Sequence, residues 1–136
     1  MIEFREFITR TMLRCEPEKL FVFGDYLRRS DEADEVSGFR GELNAVGIPT
    51  RKTSTGQSDA LLTDQDFEVW REASLPQWRI LFARAKAGGT IVWPSAGIGV
   101  GFPPLEDTAP GIAASIERNL AALIAIDVRD KSDRDG

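Results

Sequence analysis

The sequence predicts a single α/β domain, a sheet of buried strands with flanking helices on at least one face. Two features point there. Short, largely apolar runs at residues 20–23, 44–50 and 90–93 have the composition of buried strands. Between and after them, apolar residues recur at helical spacing, so strands alternate with helices along the chain. A length of 136 residues suits one domain with its own core. Residues 1–126 are expected to form it, with residues 127–136 as a charged, frayed tail.

Taken in order, residues 4–11 alternate loosely between apolar and polar and predict an edge strand, and residues 14–19 a turn or a single helical turn. The run at 20–23 ends at Gly24-Asp25, and the run at 44–50 is limited by Pro49. Residues 51–62 are polar and predict a loop. Thr63 to Asp66 has the form of a capping box before a short helix through Trp70 and Ala73. Ser74 is then expected to cap a second helix with Pro76 in its first turn. Trp78, Leu81, Phe82 and Ala85 predict its core face, and Gly88-Gly89 its end. Asp107 or Thr108 is expected to cap the last helix, with Ile112, Ile116, Leu120 and Ile124 along its buried face.

Composition narrows the chemistry. The net charge of −5 disfavours non-specific attraction to nucleic acid or to an anionic membrane. With no histidine, the Ser-His-Asp and Cys-His nucleophile arrangements and histidine-bound zinc are excluded. Cys15 is the sole cysteine, so there is no disulfide framework, and it is expected to be structural. Neither a metal nor a cofactor is called for. The chain shows no signal-peptide pattern or membrane-length apolar run and is expected to be cytoplasmic.

The stretch with most chemical content is 90–101, an apolar run that stops at Pro94 and opens into alternate glycines at Gly97, Gly99 and Gly101. Glycines let backbone N–H groups approach a ligand closely, and a helix is expected to follow, an arrangement that suits phosphate. A tight strand-to-helix connection without a ligand fits the spacing equally well. The order Gly-x-Gly-x-Gly is not the dinucleotide fingerprint.

Three segments, Phe21-Val-Phe-Gly-Asp25, Arg40-Gly-Glu-Leu-Asn-Ala-Val-Gly-Ile-Pro-Thr50 and Val92-Trp-Pro-Ser-Ala-Gly-Ile-Gly-Val-Gly101, resemble in this order a bacterial and phage family of small macrodomain-like proteins. The resemblance spans residues 8–120 or thereabouts. It implies a macrodomain-like α/β fold that binds ADP-ribose, in some members with hydrolysis of ADP-ribose from proteins or small molecules. The implied cleft is formed by the loops after residues 24 and 94. The chain also departs from the family pattern. Tyr26 stands for an asparagine, Ser30-Asp-Glu-Ala-Asp-Glu35 replaces a Gly-Gly-Gln-Ala loop, and Ala96 and Val100 replace polar residues.

The expected function is therefore a module that binds ADP-ribose or a related nucleotide, with little or no catalysis. Gly97, Ile98, Gly99, Val100 and Gly101 would hold phosphates by backbone N–H groups. Asp25 would bond adenine or the adjacent backbone, and Tyr26 or Phe102 would stack on a ring or pack at the rim. Gly24, Pro49, Thr50 and Ser95 complete the expected lining. Asn44 would either project into the cleft or satisfy backbone groups at a strand start. For a hydrolase, Asp25 or Glu106 would act as general base through a water. The alternative is a phage or mobile-element interaction protein. Asp31, Glu32, Asp34 and Glu35 would then dock on a basic groove of a host protein.

Overall fold

The computed structural model describes residues 1–28, 37–53, 60–101 and 103–135. Among these residues four strands, β1 (Ile2–Arg5), β2 (Leu20–Tyr26), β3 (Ala45–Arg51) and β4 (Ile91–Pro94), form one sheet in the order β1-β4-β2-β3. All three pairings are parallel, with Ile91 of β4 opposite both Ile2 and Leu20. Parallel strands need a crossover between them, and here the crossovers carry helices. The helices are α1 (Arg10–Cys15), α2 (Ser37–Arg40), α3 (Phe67–Lys86), α4 (Leu105–Thr108) and α5 (Pro110–Asp135).

The side chains of each strand alternate between two apolar layers. Phe21 of β2 and Val92 of β4 pack with Leu13 of α1, and Met12, Ile8 and Phe39 lie against them. Val22, Ile48, Ile91 and Trp93 point the other way, into a larger core with Trp70, Trp78 and Leu81 of α3 and Ile112 and Leu123 of α5. Burial on both faces explains why these strands read as unbroken apolar runs. The predicted α/β class is thus observed, as a parallel sheet between two helical layers.

Several elements differ from expectation. The edge strand is Ile2–Arg5, and residues 10–15 turn into α1 because Thr9 caps it, its hydroxyl accepting from the Met12 N–H at 3.3 Å. The two helices expected around Ser74 are one. Ser74 lies buried on the same stripe as Trp70 and Trp78, and Pro76 sits inside α3. An interior proline costs about 3 kcal/mol. Burying Trp70, Trp78 and Leu81 along one stripe, at about 2 kcal/mol or more each, outweighs it. Gly88 ends the helix as expected, at φ +80°.

The last helix begins at Pro110, after the separate turn α4, so neither Asp107 nor Thr108 caps it. Its buried face is Ile112, Ile116 and then Leu123 rather than Ile124. Steps of four overshoot the helical period by about 40° each, and a step of three restores the stripe. Residues 127–135 lie within α5, and Asp127 accepts from the Ile2 N–H at 3.1 Å and pairs with the N-terminal amine. Among the described residues no helix is long and apolar enough to cross a membrane.

Candidate functional site

The connection leaving β2 runs to α2 on the α1 side of the sheet, whereas β4 leads to α4 and α5 on the other side. Neighbouring strands whose connections part to opposite faces open a crevice between their carboxyl ends, where open α/β sheets bind ligands. A cleft of about 300 Å³ occupies this position. Gly24 of β2, Thr50 and Arg51 of β3, Pro94 of β4 and the loop from Gly97 to Gly101 line it, with Phe23 and Phe39 forming an aromatic wall.

The loop is shaped by its glycines. Gly97 and Gly99 have φ of +92° and +71°, where residues with a Cβ are strained. A Cβ on Gly99 would also stand 2.9 Å from Cβ of Leu105. The Leu105 N–H donates to the Gly99 carbonyl at 2.8 Å and the Gly97 N–H to Pro94 at 2.9 Å, which closes the loop on itself. The N–H groups of Ile98, Gly99, Val100 and Gly101 meet no acceptor among the described residues. Arg51 lies alongside, its Nη2 3.2 Å from where a Gly101 Cβ would be. Backbone donors, a guanidinium and two phenyl rings lining one cleft suit a ligand with an anionic and a flat apolar part.

The helix N-terminus expected to complete this loop does not serve it. The Gly111 N–H at the start of α5 donates to Asp64 at 2.9 Å, so a carboxylate of the chain already caps that end. Of the residues expected to bind, Gly24, Thr50, Gly97, Ile98, Gly99, Val100 and Gly101 line the cleft. Ser95 does not; it is exposed, and its N–H donates to Arg5 at 2.9 Å.

Asp25, Tyr26 and Pro49 line a separate recess beside α3. The Asp25 carboxylate is buried and takes two hydrogen bonds from Arg40, at 2.6 and 2.8 Å, so it is an internal ion-pair partner. Asn44 lies at the amino end of β3, the opposite edge of the sheet. Its Nδ2 reaches the carbonyls of Leu13, Glu16 and Lys19 at 3.0–3.2 Å, so it braces the backbone and takes no part in the cleft. Glu106 is exposed and lines a second recess behind the glycine loop, shared with Glu117. Phe102 and the acidic residues Asp31, Glu32, Asp34 and Glu35 lie outside the described residues.

Sequence reasoning missed Arg51, Phe23, Phe39, Glu6 and Thr108, all of which line the cleft. Arg51 directly follows Thr50, and a strand running one residue further would have included it. Phe39 carries no such signal, because its place depends on how α2 packs.

Fold and site together define an open, parallel α/β domain with a ligand-sized crevice at its topological switch point. Residues 3–119 match the model of a family of unknown function (DUF7831), and the chain belongs to that family. Comparison with curated proteins and with solved structures yields no match.

Proposed function

We propose that this protein binds ADP-ribose or a related nucleotide in the switch-point cleft, with little or no catalysis. The observation that carries this reading is the set of N–H groups from Ile98 to Gly101 that meet no acceptor among the described residues, beside the Arg51 guanidinium. Successive backbone donors in a glycine-rich loop favour an oxyanion, and arginine adds charge and geometry that match phosphate. Phe23 and Phe39 supply the flat surface that a base or ribose needs. The resemblance to macrodomain-like proteins favours ADP-ribose among such ligands.

The case for little catalysis rests on the candidate bases. Asp25 is committed to Arg40 and Glu106 faces the neighbouring recess, which leaves Glu6, an exposed residue, as the described carboxylate on the cleft lining. A general base must reach the water it activates.

Calorimetric titration with ADP-ribose, with AMP and NAD alongside, tests the reading. Micromolar binding is expected in the wild type, with a loss of about tenfold or more in Arg51→Ala, typical of a charge-assisted contact. Absence of heat at millimolar ADP-ribose, AMP and NAD alike would remove the nucleotide reading.

A further inference from the structure

Asp25 and Arg40 form the one strongly buried ion pair beside the cleft among the described residues, with side-chain exposures of 1% and 14%. Arg40 Nε and Nη2 donate to the same Asp25 oxygen, at 2.8 and 2.6 Å, and the Tyr26 N–H donates to it as well, at 2.8 Å. The guanidinium also lies 5.7 Å from the centre of the Tyr26 ring. Taking two charges out of water is costly, so a pair like this needs good geometry and further hydrogen bonds, and here it has both.

The element it holds is α2, only four residues long and too short to persist without tertiary contacts. Phe39 is the neighbour of Arg40 on that turn. Its ring stacks on Phe23 at 5.6 Å and 27°, and both rings face the cleft. Gly47 ties these parts together. A Cβ there would stand 2.7 Å from Oδ2 of Asp25 and 2.8 Å from Cζ of Phe23. The same missing side chain therefore makes room for the carboxylate and for the ring. Ion pair and aromatic wall are seated on one glycine.

We propose that Asp25 and Arg40 are positioning residues for the cleft. They set Phe39 as the surface on which a flat ring lies, so that the site prefers phosphates carrying an aromatic base to bare phosphates. This rests on the cleft being the ligand site. Neither residue touches the ligand; both act through Phe39. The turn after α2 is also tied to α1 through Glu42, which accepts from Arg10 and Arg14, so losing Arg40 frees the wall without releasing the whole segment.

The test is a calorimetric comparison of AMP and inorganic pyrophosphate on the full chain, for the wild type, Arg40→Met, Arg40→Lys and Phe39→Leu. Stacking of a base on an aromatic ring supports an expected loss of about tenfold or more for AMP in Arg40→Met and Phe39→Leu. Pyrophosphate affinity should stay within about twofold, because its donors sit on the glycine loop and Arg51. Arg40→Lys, which keeps the charge but not the paired donors, should fall between. Amide exchange in residues 38–42 should quicken in Arg40→Met while that of β2 and β4 is unchanged. Equal loss of AMP and pyrophosphate in Arg40→Met would overturn the proposal, as would undiminished AMP binding in Phe39→Leu, the variant that decides the matter if Arg40→Met does not fold. A wild type that binds AMP no better than pyrophosphate overturns this inference alone. A wild type that binds neither, nor ADP-ribose, overturns the cleft reading beneath it.

Discussion

The turn between α1 and β2 and the loop after β4 are both short connections, and they treat their backbone groups in opposite ways. At the turn, residues 16–19, the carbonyls of Glu16 and Lys19 accept from Asn44, and so does that of Leu13 at the end of α1. Around it, Arg5 and Lys19 donate to Glu3 and Glu16, so each charge has an opposite neighbour. At the glycine loop, four successive N–H groups meet no acceptor among the described residues, and the Arg51 guanidinium lies alongside Gly101. Buried polar groups are costly when unpaired, so a fold satisfies them wherever it can. The turn follows that rule and is a structural joint. The loop stands at the mouth of a cleft, where water or a ligand can complete it.

Breaking the turn should cost most. Asn44→Ala leaves three carbonyls without their shared donor and is expected to lower unfolding stability by about 2–3 kcal/mol. The midpoint in urea would show it. Ligand affinity, measured where the variant is still folded, should not change, because Asn44 is at the far edge of the sheet. A change in affinity would mean that the two regions are coupled.

Gly99→Ala acts on the other side of the comparison. The left-handed backbone and the contact with Leu105 predict a loss of about 1–2 kcal/mol. Here binding of ADP-ribose should fall along with stability, since the N–H groups are displaced. Retained binding with lost stability would recast the loop as a structural connection.

The charges at the turn set a pH dependence. Hydrogen bonds from Arg5 and then Lys19 hold Glu16 at about 2, against an ordinary value of 4.5. Burial alone would raise Glu3, but hydrogen bonds from Arg5 and Lys19 outweigh it and lower that carboxyl too. A depressed carboxylate stabilises the fold fully above its unfolded value, and the contribution disappears as pH falls toward the folded one. Glu16→Gln should therefore be less stable than the wild type at pH 7, with the difference shrinking below about 4.5 and vanishing near 2. Denaturation curves across that window check the sign.

The smallest effect is expected at Arg14, which is 61% exposed where it donates to Glu42. Arg14→Ala should cost about 0.5 kcal/mol or less, and molar salt should erase the difference. Arg10 continues to pair with Glu42 in that variant. A larger loss would show that the α2 segment depends on its outer tether as well as on Asp25 and Arg40.

Much of the fold was legible in the chain. Apolar runs marked β2, β3 and β4, because burial on both faces is written into consecutive residues. The glycine pattern marked the loop, because only glycine takes the backbone angles found at 97 and 99. Helix boundaries were less legible. Ser74 and Pro76 are local stop-and-start signals, yet packing of Trp70, Trp78 and Leu81 carries α3 straight through them.

Within the site, Gly24, Thr50 and the glycine loop follow from their positions at strand ends, and their gathering on one edge follows from parallel pairing. The sequence by itself thus determined the class of fold, the edge of the sheet where the cleft opens and the glycine loop that lines it. Tertiary structure decided which polar residues line the cleft and which turn to the protein. Asp25 turns to Arg40, Asn44 to the α1–β2 turn and Asp64 to the start of α5, across separations of 15, 25–31 and 47 residues. Periodicity and backbone preference are local properties, readable a few residues at a time. The partner of a buried polar group is chosen by which distant segment packs against it, and no local pattern carries that information.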